Sequence, residues 1–410
     1  MISHISNDIV VQDIEEKPKD TRIKIGLLTN EIPPVVYGGV ATWIVNFLEM
    51  FQDDKHFQVV PIFLAFIDQP DEELMKKKYE DIRMIYQSSD IESNFSDISI
   101  CINNLWVSLN TITSIKEIYP DLIMVSVCHS LIKMEHLTNM GSCYTSNFNN
   151  QEVTFCNSDY VVLISEAEKE YYDSFGYDKY KAITQVIYNS YKPKFDDVEF
   201  EHDYSTNIIG YIGRHVPRKR PELPIMSVKK LGLEGFKVYN MGADFHKFGN
   251  NYWKKLMKKY SDQLTVIPFS HDKSKINEYW ETIGVNCITG IYEPFGYTMC
   301  ETLDRMMPAI VQDLDGPKEI INEFRDNVYL YEVNKKSMEK DIDSFSKALV
   351  SYLETAPDVR KENAIQARKA LDRFRPNIIK KDWKELLMNA KKINNEITYI
   401  DGFDFIPYLL

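Results

Sequence analysis

The stretch YEPFGYTMCE, from Tyr292 to Glu301, decides the fold prediction, because two glutamates eight positions apart bracket a turn that opens a helix. The preceding run VNCITG (Val285 to Gly290) is typical of a short buried strand, Pro-Phe-Gly marks a tight turn, and TMCETLDRM continues as a helix. Glu293 is therefore predicted in the turn and Glu301 on the second helical turn. The helix start between them presents backbone N–H groups and the positive end of its dipole, where proteins commonly bind phosphate.

The two carboxylates indicate what flanks such a phosphate. A carboxylate repels a phosphate, but its oxygens accept hydrogen bonds from the hydroxyl groups of a sugar. One glutamate on each side of the helix start therefore suits a diphosphate with a sugar at either end, as in a nucleotide diphosphate sugar. Two glutamates at this spacing also occur by chance in acidic chains, so the surrounding frame of strand, turn and helix carries the prediction.

A further strand from Pro308 to Leu314 completes a βαβ unit whose ligand edge lies at the carboxyl end of the strands. This pattern resembles the E-x-x-x-x-x-x-x-E signature of retaining GT-B glycosyltransferases of glycosyltransferase family 4 (glycosyl transferases group 1). The resemblance implies an α/β chain with the GT-B fold. In that fold two Rossmann-like, doubly wound parallel-sheet domains face a central cleft, and a C-terminal helix crosses back to the first domain.

Strands and helices alternate in both halves of the chain, which predicts parallel sheets covered on both faces. The predicted strands are Arg22 to Asn30, Phe57 to Phe66, Asp121 to Cys128 and Tyr160 to Ile164 in the first half, and NIIGYIGR, GFKVYNMG, LTVIPF, VNCITG and PAIVQDL in the second. A polar, acidic linker lies near residues 192–206. We therefore predict an acceptor domain over residues 1–194 with the crossing helix at 376–410, and a donor domain over residues 195–375.

Composition argues against several classes of protein. A length of 410 residues suits two domains, and a net charge of −13 argues against nucleic acid as a partner, since a phosphate backbone demands a basic face. The six cysteines lie far apart without a C-x-x-C pair. They predict reduced thiols, and neither a disulfide framework nor a zinc site.

The longest apolar run, from Val59 to Ile67, is far shorter than a membrane-spanning helix, so no transmembrane segment is predicted and we expect a soluble, cytoplasmic protein. Two lysine-rich segments, KKKYEDIR near Lys76 and YWKKLMKKY near Trp253, leave peripheral contact with a membrane open. Solvated helix faces of this kind are commoner. The sequence does not indicate an oligomeric state.

The strand NIIGYIG ends in GRHVPRKRP, which places Arg214 and Lys219 five residues apart in the loop before a helix that we expect to begin at Pro221. Two cations at the carboxyl edge of a strand suit a diphosphate, whose negative charge grows as the leaving group departs. Both positions match the pattern of the family, which has Gly-Arg, four residues and then Lys. Arg220 stands where relatives usually have glycine, and it either adds a contact or faces solvent. A solvated basic loop is the alternative, and the G-x-G-x-x-G spacing of a dinucleotide site is absent.

The first half contributes Gly38 and Gly39 in the first strand-to-helix loop, and His129 directly after a strand. Glycine lets the backbone approach a ligand closely and exposes its N–H groups. The resemblance implies that the Gly-Gly loop lies beside the donor diphosphate and the acceptor, and that His129 faces the transferred sugar. An ordinary tight turn and a structural histidine are the alternatives.

The DLD sequence from Asp313 to Asp315 is similar to a metal-binding D-x-D motif. Its context, DLDGPKEII, matches instead the family loop that ends in Gly-x-x-Glu, here Gly316 and Glu319. In GT-B enzymes arginine, lysine and the helix dipole hold the diphosphate. The resemblance therefore implies no metal and no cofactor, with the nucleotide sugar acting as donor substrate.

The resemblance also assigns roles to individual residues. It implies that Glu293 binds hydroxyl groups of the transferred sugar, that Glu301 binds the ribose, and that the base lies near Phe269. The diphosphate contacts it implies are Arg214, Lys219 and the amides of Gly296, Tyr297 and Thr298, with Phe295 completing the turn. The predicted catalytic residues are Glu293, His129, Arg214 and Lys219.

These observations predict a retaining hexosyltransferase that acts on the hydroxyl of a glycan, a lipid or a protein-linked sugar, with no protein nucleophile. Family frequency slightly favours GDP-mannose over UDP-glucose as donor. A non-catalytic nucleotide-sugar binder and a GT-B fold nucleotide-sugar epimerase are the alternatives. The chain departs from the usual family residues at Ser190, Thr302, Asp304 and Met306, which affects packing more than chemistry.

Overall fold

The computed structural model of the chain describes residues 21–65, 70–104, 109–138, 146–196, 202–242, 250–270 and 272–390, which contain two sheets of parallel strands. The predicted α/β class with two parallel-sheet domains is therefore confirmed. Residues 1–20 and 391–410, part of the predicted linker, Cys143 and the side chain of Trp253 lie outside the described residues.

The first domain contains seven strands, β1 (Ile23–Thr29), β2 (Phe57–Leu64), β3 (Arg83–Ile85), β4 (Ile100–Asn103), β5 (Ile123–Cys128), β6 (Tyr160–Leu163) and β7 (Ile183–Val186). Its helices are α1 (Gly39–Phe51), α2 (Glu72–Lys78), α3 (Asp90–Phe95), α4 (Leu109–Ile118), α5 (Ile132–Thr138), α6 (Ser146–Cys156) and α7 (Glu166–Ser174). The strand order is β3-β2-β1-β4-β5-β6-β7.

The second domain contains six strands, β8 (Ile208–Ile212), β9 (Lys237–Gly242), β10 (Leu264–Pro268), β11 (Val285–Ile288), β12 (Ala309–Gln312) and β13 (Tyr329–Tyr331). Its helices are α8 (Leu223–Lys230), α9 (Asn250–Lys259), α10 (Lys273–Thr282), α11 (Tyr297–Asp304), α12 (Asp315–Ile321), α13 (Met338–Glu354) and α14 (Pro357–Arg368). The strand order is β10-β9-β8-β11-β12-β13, and α15 (Pro376–Asn389) follows the domain.

The central strands of both sheets are apolar along most of their length, because helices cover both faces of a parallel sheet. Strand β5 has the sequence IMVSVC and β12 has AIVQ, and every residue of both is buried. Such runs do not alternate between apolar and polar residues, which distinguishes them from strands with one solvated face. The hydrophobic core of each domain therefore lies on both sides of its sheet.

The strand order reverses between β1 and β4 in the first sheet and between β8 and β11 in the second. At such a point the connecting helices leave toward opposite faces, which opens a crevice at the carboxyl ends of the strands. The loop after β1 contains Gly38, the loop after β8 contains Arg214 and Lys219, and the loop after β11 contains Glu293. The fold thus brings the predicted site residues to the two crevices.

Helix α15 returns to the first domain and packs against α1. The Trp383 ring lies 5.8 Å from the Trp43 ring and 5.1 Å from the Phe47 ring, both at steep interplanar angles. Lys380 Nζ also lies 2.9 Å from the buried Asp54 carboxylate. Trp383 is fully buried, so truncating it to alanine is expected to cost roughly 3–5 kcal/mol of stability.

The structure contains strands and a helix start that differ from the sequence predictions. Strands β3, β4, β7 and β13 were not predicted, and each has only three or four residues. The expected helix start at Pro221 was wrong, because α8 begins at Leu223. Arg220 precedes it with φ +47°, a left-handed conformation that turns the chain before the helix.

Candidate functional site

The two crevices face each other, and the Gly-Gly loop of the first domain touches α11 of the second. A Cβ atom built on Gly39 would lie 3.9 Å from Tyr297 Cδ2, and one built on Gly38 would lie 4.0 Å from Glu31 Oε2. The predicted residues Gly38, Gly39 and Tyr297 are therefore brought together. A side chain at either glycine would narrow the cleft where the two domains meet.

The turn before α11 is held tightly by its neighbours. Gly296, the N-cap of α11, has φ +111°, which favours glycine strongly. The Glu293 amide donates to Asp315 Oδ2 at 3.1 Å, and the Gly316 amide donates to the Glu293 carbonyl at 3.0 Å. A Cβ atom on Gly316 would overlap the Phe295 backbone. Phe295 itself is buried, so it shapes the turn from behind.

The start of α11 offers amide groups to a ligand. The Met299 and Cys300 amides donate to the Gly296 carbonyl, at 2.9 and 3.2 Å. A helix start leaves the preceding amides, here those of Tyr297 and Thr298, without intrahelical acceptors. With the positive end of the helix dipole, they make this point of the cleft favourable for an anion.

Lys219 lies against this turn. Its ammonium group forms an ion pair with the Glu293 carboxylate, and both side chains are mostly buried. Burial and the neighbouring Arg218 and Arg214 guanidinium groups lower the pKa of Lys219 well below its usual value. An anionic ligand beside the ammonium would counteract that shift, because it stabilises the charged form.

Arg214 reaches into the cleft, where its side chain is solvent-accessible although protein atoms surround it on most sides. Burial and the Arg218 guanidinium lower the pKa of Arg214, while Glu135 and Glu31 oppose that shift. Both glutamates belong to the first domain. The predicted pair Arg214 and Lys219 is thus brought to one edge of the cleft, facing carboxylates across it.

Arg218 was missed by the sequence analysis. It is buried, and it donates to the Tyr292 carbonyl and to Glu135 Oε1, each at 3.2 Å. Its guanidinium also lies 5.9 Å from the centre of the Tyr292 ring. The only signal in the sequence is its place in the basic run between Arg214 and Arg220.

The sequence left open whether Arg220 contacts the ligand or faces solvent, and in the structure it does neither. Its side chain is buried and forms an ion pair with Asp341 of α13 at 3.0 Å, away from the cleft. Its φ of +47° explains why glycine is usual at this position. Met306, another position where relatives usually have glycine, also has a left-handed φ, of +51°.

His129 follows β5 and stacks edge-on against Trp43 at 5.2 Å. The Asn104 amide nitrogen donates to the Leu28 carbonyl, so Asn104 Oδ1 is the acceptor for His129 Nε2 at 2.7 Å. Burial lowers the pKa of His129 to about 3. The ring is therefore neutral at physiological pH, with Nδ1 as an acceptor, and it is unsuited to act as a proton donor.

Glu301, on the second turn of α11, interacts with different cations from Glu293. Burial raises its pKa, while Arg305 and Lys194 oppose the shift. Glu293 and Glu301 therefore interact with different cations on different sides of the helix start. Phe269, the predicted neighbour of the base, follows β10 with a partly exposed side chain, and its amide donates to the Gly242 carbonyl at 3.0 Å.

Tyr292, the residue before Glu293, links the two domains. Its hydroxyl group lies 2.7 Å from Glu168 Oε1 and accepts from the Leu131 amide at 2.8 Å. Its ring joins an apolar cluster whose other members all belong to the first domain. Burial raises the pKa of Glu168 to about 8, so at neutral pH this carboxyl is mostly protonated.

Helix α12, which follows β12, also connects the domains. Tyr171 of α7 donates to Asp315 Oδ1 at 2.7 Å, and Glu319 accepts from the amides of Glu166 and Ala167 at 3.0 and 2.7 Å. Glu319 thus caps the start of α7. Asp315 holds the Glu293 amide on the other side, so it positions the turn that carries the predicted sugar contact.

The described residues contain no group of three or more His, Cys, Asp or Glu side chains arranged to hold a metal ion. The outer carboxylates of the DLD sequence have separate partners, since Asp313 pairs with Arg325 at 2.7 Å and Asp315 accepts from Tyr171. Among the described helices, none is both long and apolar enough to cross a bilayer.

Residues 194–363 match the family described as Glycosyl transferases group 1. The chain is similar in structure to sucrose-phosphate synthase from Thermosynechococcus elongatus, with 14% identity, a TM-score of 0.72, and coverage of 91% of this chain and 100% of that one. It is also similar to Anabaena HepE in complex with UDP and glucose, at 14% identity and a TM-score of 0.69, covering 89% and 99% of the two chains.

A third similar structure is the catalytic domain of starch synthase IV from Arabidopsis thaliana bound to ADP and acarbose. The identity is 12% and the TM-score 0.61, with coverage of 90% of this chain and 99% of that one. None of the curated proteins matches the chain. At these identities the structural similarity establishes the GT-B fold.

Proposed function

We propose that this chain, which has the GT-B fold and matches the glycosyl transferases group 1 family over residues 194–363, is a glycosyltransferase that transfers a hexose from a nucleotide diphosphate sugar with retention. One observation carries this proposal: the Lys219 ammonium contacts the Glu293 carboxylate beside the start of α11. A phosphate-binding cation and a hydroxyl-binding anion therefore lie side by side. In a nucleotide diphosphate sugar the phosphate is bonded to the hexose, so these two neighbouring groups match the neighbouring Lys219 and Glu293.

In the proposed complex, the diphosphate binds Arg214, Lys219 and the amides of Tyr297 and Thr298. The contact between Lys219 and Glu293 then opens, because the phosphate takes the ammonium and the hexose hydroxyls take the carboxylate. Lys219 thereby exchanges one anion for another, and Glu293 exchanges an ammonium donor for hydroxyl donors. The donor thus replaces an existing ion pair and leaves each of its two members with hydrogen-bonding partners.

The nucleoside occupies the opposite side of the helix start in this proposal. Glu301 accepts hydrogen bonds from the ribose hydroxyls, and the base lies against Phe269. Glu301 suits this role because its raised pKa reflects a desolvated carboxyl, where a hydrogen bond to a sugar is worth more than in water. The hexose and the ribose are thereby held by different glutamates.

The proposed reaction breaks the bond between the anomeric carbon and the diphosphate oxygen and forms a bond from that carbon to the acceptor oxygen on the same face. The departing phosphate oxygen takes the acceptor proton, and Arg214 and Lys219 stabilise the charge left on the diphosphate. His129 holds a hydroxyl of the hexose through its unprotonated Nδ1. No protein nucleophile is required.

The donor is expected to be GDP-mannose or UDP-glucose. The similar Anabaena HepE forms complexes with UDP and glucose and with UDP-glucose, which supports a donor of this class. The test is to incubate the protein with a panel of nucleotide sugars and sugar acceptors, and to measure both the heat of binding and the nucleotide diphosphate released.

Lys219→Ala is the decisive variant, and Lys229→Ala is its matched control. Lys229 lies on α8 of the same domain and pairs with exposed Asp262 at 2.8 Å. The proposal requires release that depends on Lys219 and not on Lys229. Donor isomerisation without an acceptor would indicate an epimerase, and binding without release would indicate a nucleotide-sugar binder; either result would overturn the proposal.

A further inference from the structure

We propose that the acceptor is an uncharged, hydroxyl-rich compound, and that Glu31 and Glu135 make the cleft reject acceptors that carry a phosphate or carboxylate near the reacting hydroxyl. This inference rests on the proposed function and adds the chemical class of the second substrate. It follows from a difference in charge between the two walls of the cleft.

Where the structure describes it, the wall of the first domain has almost no cations. The described residues that follow its strands, at 30–38, 65, 70–71, 86–89, 104, 129–131 and 164–165, include neither lysine nor arginine. By contrast, the connection at residues 213–222 in the second domain brings three cations to the cleft, Arg214, Arg218 and Lys219, while its fourth, Arg220, points away from it.

The connection after β7, which leads to the second domain, is the exception, because it contains Lys192 and Lys194. Lys192 Nζ lies 3.4 Å from Glu49 Oε2, on the outer surface of α1. Lys194 interacts with Glu301, on the nucleoside side of the proposed donor site. Neither lysine is therefore placed to receive an anionic acceptor.

The carboxylates occupy the part of this wall nearest the diphosphate cations. Glu31 lies beside Gly38; burial raises its pKa, and Arg214 across the cleft opposes that rise by stabilising the carboxylate. Glu135 accepts from Ser130 Oγ at 2.9 Å and from Arg218 at 3.2 Å. The cations lower the pKa of Glu135 in spite of its burial, so this group is ionised at neutral pH.

The remaining groups on this wall suit hydroxyls. His129 and Asn104 are neutral hydrogen-bonding side chains that contact one another at 2.7 Å, and Tyr37 is exposed beside the Gly-Gly loop. Neutral donors and acceptors of this kind bind sugar hydroxyls without favouring a net charge. The wall therefore combines hydroxyl recognition with a negative field.

Once a donor is bound, the cations opposite compensate this field only at Glu135, which keeps its contact with Arg218 at 3.2 Å. In the proposed complex Arg214 and Lys219 are paired with the diphosphate, which itself adds negative charge. An acceptor phosphate would then face the donor diphosphate and the Glu31 carboxylate at once, with the paired Glu135 beside them. Repulsion over several ångströms across a partly desolvated cleft is expected to reduce the rate of transfer to a phosphorylated acceptor roughly tenfold to hundredfold.

The test compares matched acceptors on the full chain after the donor has been identified by its slow hydrolysis. Methyl α-glucoside, methyl α-mannoside and myo-inositol are compared with glucose 6-phosphate and glucuronate, and nucleotide release is measured for each. The same compounds are compared as inhibitors of hydrolysis, which needs only occupancy of the acceptor site. We expect the neutral compounds to serve as acceptors and to inhibit hydrolysis at concentrations at least roughly tenfold lower than the anionic compounds.

Glu31→Gln keeps the shape of the side chain and removes its charge, so it should reduce the preference for neutral compounds severalfold. Glu117→Gln, on the exposed face of α4, is the control and should leave the preference unchanged. Equal or better use of the anionic compounds by the unmodified chain, or the same preference in Glu31→Gln, would overturn the inference. Absence of nucleotide release with every donor would instead contradict the proposed function.

Discussion

The carboxyl edges of the two sheets have the same backbone design and opposite chemistry. Each edge has a crevice where the strand order reverses, bordered by loops that begin directly after buried strands. In the second domain the loop after β8 gathers Arg214, Arg218 and Lys219, whereas Glu31 and Glu135 face them from the first domain. The fold therefore provides two ligand edges, and the loop residues give only the second edge the cations that the proposed diphosphate site requires.

The largest expected effect comes from removing the cations of the second edge. Lys219→Ala and Arg214→Ala should each lower kcat/KM roughly 30-fold to 1000-fold, or about 2–4 kcal/mol, because each loses a charge-assisted contact to the leaving diphosphate. Steady-state kinetics with the identified donor measures the loss. Lys229→Ala is the control, and near-normal kcat/KM in both cleft variants would show that the diphosphate binds elsewhere.

A smaller effect separates the two glutamates of that edge. Glu301→Gln should weaken binding of the bare nucleotide diphosphate roughly tenfold, because the ribose contact is equal in ground and transition states. Glu293→Gln should keep nucleotide affinity and lower kcat roughly tenfold to hundredfold, because it contacts the transferred hexose. Calorimetry with the bare nucleotide decides between them. Equal losses of affinity would mean that the hexose and the ribose have been assigned to the wrong glutamates.

Most of the fold was predictable because long buried runs have an unambiguous pattern. Strands β1 and β5 were found close to their observed positions, since a mostly apolar run of six or seven residues between turn signals favours a central parallel strand. Strand β3 has the sequence RMI and β13 has YLY, and three residues are too few for any periodicity. Their positions depend on pairing with β2 and β12, which is tertiary information.

The site was predictable where its geometry is local in sequence. Glu293, Gly296 and Glu301 lie within one turn and helix, so their spacing alone placed them around the helix start. Tyr292 and Asp315 were missed because their contacts, Glu168 and Tyr171, are more than a hundred residues away in the other domain. No local pattern reports such partners. The sequence therefore predicts the second edge better than the contacts that join it to the first.

The contact between the edges has its own pH dependence. The pKa of Glu168 is raised to about 8 by burial, so the folded state keeps a proton that the unfolded chain releases near pH 4.5. The stability this group contributes is complete below that pH and is lost as pH rises toward 8. Unfolding free energy should therefore fall more steeply over this range than in Glu168→Gln, by about 1 kcal/mol per pH unit.

Denaturant unfolding at several pH values measures these slopes. Glu170→Gln, on the exposed face of the same helix α7, is the matched control and should retain the steeper slope. Tyr292→Phe removes the hydroxyl that bonds Glu168 and should destabilise the contact without abolishing the slope, because the carboxyl stays buried. Parallel slopes in the unmodified chain and Glu168→Gln would show that Glu168 is ionised at the interface.

The smallest expected effect concerns metal, and it tests whether the second edge alone supplies the positive charge. Arg214, Lys219 and the start of α11 are proposed to neutralise the diphosphate, and the two candidate carboxylates already have partners in Arg325 and Tyr171. Chelation with EDTA should therefore change kcat by less than about twofold, because three fixed positive groups replace the role of a divalent ion. The measurement is turnover before chelation, after it, and after addition of manganese. Loss of turnover that manganese restores would place an essential charge outside the basic edge, and the comparison between the two edges would no longer explain where the diphosphate binds.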